Sequence, residues 1–154
     1  MLTGNSSATY QDTVIENDGF WPDINAGDFE RRRGIPAAQD SERIAIALVN
    51  AIAEVNHQLA TLKAGYILQA HAMAADIAAS PSINGKNRVI IQYESAISAR
   101  AKADLLPDFA TVHQRKEGDH LADRSEEIKN EFLAESERII RNMCGLNRST
   151  VSLL

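Results

Sequence analysis

The sequence predicts an all-α fold: a small antiparallel helical bundle of three to four helices, with an extended N-terminal arm and an extended C-terminal tail. Three observations in the 154-residue chain carry this expectation. Ile44, Leu48, Ile52, Val55, Leu59 and Leu62 recur at intervals of four, four, three, four and three, which places them on one stripe of an amphipathic helix. Ile90, Tyr93, Ile97, Ala101 and Leu105 form a second such stripe, with Val89 and Ala96 beside it. Aromatic residues are only 5% of the chain while alanine and isoleucine are plentiful, a balance that suits closely packed thin helices better than a β-sandwich.

Residues 1–19 are rich in Ser, Thr, Asn, Asp and Gly, show no helical period, and read as a loose arm. Phe20-Trp21-Pro22-Asp23-Ile24 is a compact apolar knot ending in a turn signal, with Pro22 holding Trp21 extended. Asp28-Phe29 leads into Arg31-Arg32-Arg33-Gly34, read as a solvated turn or as a site for phosphate or a partner carboxylate, and Ile35-Pro36 closes the stretch. The first long helix is expected over residues 40–63, with Asp40 or Ser41 as its N-cap. At ~1.5 Å per residue it would extend about 36 Å. Ile46 and Val49 widen its stripe enough to touch more than one neighbour, and Gly65 is the expected C-cap or hinge. The Ala-rich residues 66–79 are expected to continue as a shorter helix, and Ser80-Pro81-Ser82-Ile83-Asn84-Gly85 as a loop.

The middle helix is placed over residues 86–106 and ended by Pro107-Asp108. Residues 109–121 are polar and read as a loop. The last helix begins near Asp119 or Asp123. Leu121, Ile128, Phe132, Ile139 and Met143 mark its buried face, Glu135 interrupts that face, and Cys144-Gly145 stops the helix. The β-branched Thr150 and Val151 favour an extended tail. The expected organisation is therefore an arm and knot (1–36), a helical bundle (37–145) and an extended tail (146–154).

A chain of this length buries roughly two thirds of its unfolded surface, and 44% hydrophobic residues support a globular core. The net charge of −5 argues against a protein that wraps DNA, because phosphate binding requires positive surface. A single cysteine, Cys144, allows no intramolecular disulfide and fits a reducing compartment. The N-terminus lacks the basic, apolar, small-residue order of a signal peptide. The most apolar stretch, residues 44–55, is broken by Asn50 and Glu54 and is too short to span a bilayer. The expectation is work in the cytoplasm where the chain is made, with no membrane partner.

No catalytic or metal site is expected, and no cofactor. His57, His71, His113 and His120 form no His-Glu-x-x-His pattern and lie near no cysteine pair. Cys144 reads as a small buried hydrophobe, since a reactive thiol needs a neighbouring base and activating charge. Glu127, Glu131 and Glu135 share one helical face, read as a solvated acidic surface or as the lining of a channel that passes DNA without gripping it. Both glycine-rich phosphate-cradle spacings are missing. Two features stand out as partner-binding candidates. Phe20 and Trp21 follow a loose arm and serve either an interface or the cap of the bundle. Arg148, Thr150, Val151, Ser152, Leu153 and Leu154 suit addition of a strand to a partner's sheet, or else a frayed end.

The Phe20–Ile24 knot, the arginine stretch and the long helix opening near Asp40 together resemble the N-terminal half of the phage head-completion protein family (GPL-like). The resemblance continues at Tyr93-Glu94-Ser95-Ala96-Ile97 and ends at Arg148-Ser149-Thr150-Val151-Ser152-Leu153-Leu154. It implies a head–tail connector adaptor of a contractile-tailed temperate phage. Such a protein would bind the portal protein after DNA packaging, form a ring with itself (a dodecamer on the portal), extend the DNA channel, help retain DNA and offer a docking surface to tail proteins. It would act at the virion head–tail junction after assembly in the host cytoplasm, with genomic DNA passing through unread. The alternatives are the DNA-recognition small subunit of the packaging motor, which would need a basic recognition helix, and a host-encoded four-helix regulator or chaperone. For the first, the middle helix offers Lys86, Arg88, Arg100 and Lys102.

Overall fold

The computed structural model describes residues 9–36, 38–113 and 120–146. The elements run β1 (Val14–Ile15), β2 (Ile24–Asn25), α1 (Ala26–Arg33), α2 (Ser41–Gln58), α3 (Ala60–Leu68), a single 3-10 turn at Ala74–Asp76, α4 (Arg88–His113) and α5 (His120–Met143). The expected mostly helical bundle is present, and the two-residue strands form its only sheet among the described residues.

α4 is the central helix. It packs most extensively on α5 and next on α2. Both pairings are antiparallel, because Gln92 bonds to Asn142 while Arg100 bonds to Glu137, and Arg43 bonds to Asp104 while Asn56 bonds to Tyr93. The stripe that defines α2 is buried as expected, from Ile44 through Leu48, Ile52 and Val55 to Leu59. The α4 stripe from Val89 to Leu105 is buried as well. On the α5 side, Ala96, Ala99 and Ala103 are fully buried, and the Ser136 hydroxyl donates to the Ala96 carbonyl at 2.9 Å. Small side chains at this seam let the two backbones approach closely.

Helix ends follow local chemistry. Asp40 caps α2 by accepting from the Glu42 and Arg43 amides, and Asn25 caps α1 through the Asp28 amide. Asn87 accepts from Ile90 N–H at the start of α4 while its amide nitrogen donates to the Ala74 and Ile77 carbonyls. α5 ends as expected at Gly145 (φ 72°), where Gly145 N–H bonds to Asn142 O and Leu146 N–H to Arg141 O. That pair of bonds is a Schellman motif.

Five expectations are corrected. The described part of the arm is tied down: β1 pairs with β2, Ala26 N–H bonds to Thr13 O, and Gln11 presses so close to Gly27 that a Cβ there would meet its carbonyl at 2.0 Å. The Arg31–Arg33 run lies on α1 and not in a turn. The long helix breaks at the fully buried Leu59 (φ −94°, ψ 7°), and Gly65 stays helical inside α3. The helical path ends at Ala70, not within an Ala-rich second helix running to residue 79. Ala70 adopts φ 68°, with Ala70 N–H on Ile67 O and His71 N–H on Tyr66 O, the same motif that Gly145 forms. Last, Pro107 lies inside α4, which continues to His113, so the expected loop over 109–121 is helical at both ends. Proline deprives the Ala103 carbonyl of its donor and loosens the next turn. The neighbouring Asp104 carbonyl accepts from Arg43, whose guanidinium also reaches the Asp104 and Asp108 carboxylates.

Candidate partner-binding surface

The aromatic knot packs into the core. Trp21 and Phe20 are buried, and so is Tyr93. The Trp21 ring stacks on Tyr93 with centroids 4.5 Å apart and planes 3° from parallel, and Phe20 meets Trp21 edge-on at 4.9 Å. The hydroxyl of Tyr93 donates to Asn56 Oδ1 at 2.5 Å and accepts from Asn17 Nδ2 at 2.8 Å, while Asn56 Nδ2 donates to Asn17 Oδ1 at 2.9 Å. Burial drives the Tyr93 pKa well above its usual range. The Asn17 bond opposes that, the Asp18 charge adds to it, and the Asn56 bond opposes it. The phenol therefore stays protonated and serves as a fixed donor.

Asp18 closes this triangle from outside. Its carboxylate accepts from the Phe20 and Trp21 amides and from Lys63 Nζ at 2.9 Å, linking the knot to α3. Burial, the largest single influence, would raise its pKa. The Lys63 bond, the Trp21 and Phe20 amides and the Lys63 charge together outweigh burial and leave it lowered. Of the two expectations for Phe20 and Trp21, the arrangement favours capping the bundle, because both rings are directed into the subunit's own core.

A second hub fastens α1. Arg33 Nε donates to Ser98 Oγ at 3.0 Å, Nη1 and Nη2 grip Glu135 at 3.2 and 3.0 Å, and Nη2 also reaches the Ser95 carbonyl. Lys102 donates to the Arg33 carbonyl, and both cations lie over the Phe132 ring. Burial, then the neighbouring Arg33 charge, lowers the Lys102 pKa. Three consecutive helical residues fan apart by about 100° each, so the arginine run finds three partners: Arg31 pairs with Asp28, Arg32 with Glu94, and Arg33 with Glu135. Glu135 thus leaves the expected free acidic face, on which Glu127 and Glu131 remain exposed. The interruption of the apolar pattern at Glu135 was visible in the sequence. Its partner, 102 positions away, was not.

The surface also carries apolar groups. Ile46 and Val49 are about half exposed on the outer side of α2, and Ile67 and Leu68 are exposed on α3. Between α3 and the end of α5 lies a groove of about 350 Å³ whose walls include Thr61, Leu62, Gly65, Tyr66, Cys144 and Leu146. Among the described residues no cluster of three or more His, Cys, Asp or Glu is placed to hold a metal ion, and no helix is long and apolar enough to cross a membrane. Arg148, Thr150, Val151, Ser152, Leu153 and Leu154 lie outside the described residues. Asn17 and Asn56 were missed by sequence reasoning. The one available signal was Asn56 directly beside Val55, at the margin of the buried stripe.

Residues 15–154 match the family model described as phage head completion protein (GPL). A probable head completion/stabilization protein of Haemophilus phage HP1 (strain HP1c1) is 38% identical over 150 residues, covering 94% of this chain and 95% of that protein. The head completion/stabilization protein of Escherichia phage P2 is 27% identical over 139 residues, covering 90% of this chain and 82% of that protein. No solved structure matches.

Proposed function

The chain belongs to the phage head completion protein family, and from that premise we propose that it binds the portal vertex once DNA is packaged and turns a filled head into one that a tail can join. The coarse role, completion of the phage head, comes with family membership. The finer reading is that several copies, twelve on a dodecameric portal, form a ring that prolongs the DNA channel, helps hold the DNA in, and presents a surface to tail proteins at the head–tail junction. Assembly takes place in the host cytoplasm.

The observation that carries this reading is the near full-length match, which runs from β1 through the closing Arg148–Leu154 segment. Two structural features support it. A ring is built from heterologous contacts that close, and such contacts need apolar surface left over after the subunit has folded. The outer side of α2, with Ile46 and Val49, has it. A channel for DNA needs walls that repel phosphate, and the exposed Glu127 and Glu131 together with the net charge of −5 suit that role. The portal anchor is the tail, which adds a strand or an extended segment to the portal. Phe20 and Trp21 act indirectly, by fixing the bundle that presents these surfaces.

A DNA-recognition subunit is not favoured. Lys86 pairs with Glu94, Arg88 donates to Ser80 O, Arg100 bridges Glu54 and Glu137, and Lys102 donates to Arg33 O. The cations that would form a recognition helix are engaged within the subunit.

Deleting residues 149–154 tests the anchor. The truncated chain is expected to fold, with its melting temperature within about 2 °C of the full chain, and to remain in the supernatant when filled, tail-less heads are sedimented. Co-sedimentation of the truncated chain at the full-length level would remove the tail from the portal contact. The isolated full chain is expected to be monomeric at micromolar concentration, and a stable ring without portal would contradict assembly on the vertex.

A further inference from the structure

We propose that neighbouring copies in the ring meet head to tail through α3: the ridge of Ala60, Ala64, Ile67 and Leu68 on one copy seats in the groove between α3 and the end of α5 on the next. This rests on the reading of a ring at the portal and assigns the two faces through which its copies touch.

The ridge is apolar surface that the subunit's own fold leaves uncovered. Ile67 is 51% and Leu68 88% exposed, and Ala60 and Ala64 are exposed beside them. From Ala64 to Ala75 the chain carries no Asp, Glu, Lys or Arg. Helical hydrogen bonding carries across the junction of α2 and α3, since Leu59 N–H bonds to Val55 O and Lys63 N–H to Leu59 O. The ridge therefore prolongs the outer side of α2. Exposed, uncharged positions recur there at three and four, at 46, 49, 53, 57, 60, 64 and 67. Contiguous exposed apolar surface marks a site of interaction.

The groove matches the ridge in chemistry. No Asp, Glu, Lys or Arg lines it, and its walls include Leu62, Tyr66 and Leu146. An uncharged ridge thus enters an uncharged groove with no ion to desolvate. Its volume of about 350 Å³ has room for branched aliphatic side chains such as those of Ile67 and Leu68. One wall is low where Gly65 sits in mid-helix. No positive φ requires glycine there, and a Cβ would meet nothing within 4 Å. A helix former would be the ordinary choice at such a site, and the glycine lets a neighbour's side chains approach the backbone closely.

The placement of the two faces yields a contact that closes. At about 100° per residue, ridge positions 60, 64, 67 and 68 and groove positions 61, 62, 65, 66 and 69 are centred about 145° apart around α3. The faces differ, so their pairing is heterologous, and every copy offers one of each to its two neighbours. Faces 180° apart would build a straight row, whereas a closed ring of twelve needs about 150°. The contact is small. Two large side chains and two alanines cover far less than the ~800 Å² per partner of a stable pair. It therefore forms where the portal holds copies side by side, or at high concentration.

Cys144, the chain's one cysteine, lines the groove, so Ala64→Cys adds a thiol on the ridge without removing its large side chains. The free Ala64→Cys chain at about 1 mM, where mass action populates a weak contact, is treated with a short bis-maleimide. A ladder of dimers, trimers and larger species is expected, because each copy carries one thiol per face. Adding Cys144→Ser leaves only symmetric dimers available and should cut the cross-linked fraction at least about tenfold. Leu68→Asp, on the ridge, and Gly65→Gln, in the groove wall, should each cut the ladder by the same factor of about ten while circular dichroism shows a folded chain. A folded Ala64→Cys chain that gives no ladder overturns the proposal, as does a ladder that Leu68→Asp and Gly65→Gln leave unchanged. The same chains are then cross-linked on filled, tail-less heads. Binding to heads without a ladder there overturns the head-to-tail contact and leaves the portal reading standing. A ladder in solution from a chain that does not bind heads sinks the portal reading and leaves the contact intact.

Discussion

Replacing Trp21 with alanine empties the centre of the aromatic knot. The indole is 2% exposed, stacked on Tyr93 and met edge-on by Phe20. Large-to-small substitution of a buried tryptophan costs about 3–5 kcal/mol through lost transfer energy and the cavity left behind. Each aromatic contact adds about 0.5–1.5 kcal/mol beyond its area. The stacked and edge-on ring contacts place this site in the upper half of that range, about 4 kcal/mol, a large part of the ~5–15 kcal/mol that holds a domain together. For a chain of this size that corresponds to about 8–16 °C in melting temperature. Trp21→Phe is expected to behave differently. It keeps a ring against Tyr93 and removes an indole N–H that has no hydrogen-bond partner among the described residues. Deleting an unpaired buried donor recovers about 1–3 kcal/mol against the lost volume, so the net cost should stay below about 2 kcal/mol. The assay is urea unfolding followed by far-ultraviolet circular dichroism, because the substitution removes the only tryptophan fluorophore. A loss below about 1 kcal/mol in Trp21→Ala would refute the reasoning. It would mean that the indole does not support the subunit and would return it to the surface as an interface residue.

Arg33→Ala should cost about 2 kcal/mol: the pair with Glu135 is partly buried, so its rupture falls between the small value of an exposed pair and the larger one of a buried pair. A double-mutant cycle with Glu135→Ala should show a coupling of about 1 kcal/mol in denaturant midpoints, and none if the pair is incidental. Ala70→Gly should raise stability by about 0.5–1 kcal/mol, because relief of the left-handed alanine exceeds the added unfolded-chain entropy; thermal melts check it. Asp18 should contribute stability that is complete above its unfolded pKa, near the ordinary carboxylate value of 3.8, and that fades as pH falls through its lower folded value. Urea midpoints should therefore place Asp18→Asn about 1 kcal/mol below the parent near neutral pH, with the gap narrowing as the pH falls below 3.8.

The long helices were legible because burial on one side imposes a period that Ile44 through Leu59 and Val89 through Leu105 display openly. Asp40 was legible because a cap is a property of its immediate neighbours. What was hidden depended on partners distant in sequence or on backbone geometry with no preferred residue type. The strand Val14–Ile15 is too short to alternate, and it is fixed by Ile24–Asn25 and by the Gln11 backbone against Gly27. The turn at Ala70 uses alanine where glycine is the usual signal, so Gly65 drew the expectation instead. Pro107 looked like a stop because local rules do not contain Arg43, which holds this turn through the Asp104 carbonyl and the Asp104 and Asp108 carboxylates. The knot was legible as a feature but not as a role: Asn17, Asn56 and Tyr93, which decide that Trp21 faces inward, come from three separate segments. The closing segment, for which Thr150 and Val151 gave the expectation of an extended tail, lies outside the described residues.

The portal-vertex account is tested most directly by adding the purified chain to filled heads that lack it, sedimenting them, and imaging the vertices by cryo-electron microscopy. The account predicts ring-shaped density, twelve-fold where the portal is dodecameric, at the portal vertex and nowhere else on the head, with gain of tail joining when tails are supplied. Heads that bind the chain over the whole shell, or that join tails equally well without it, would contradict the account.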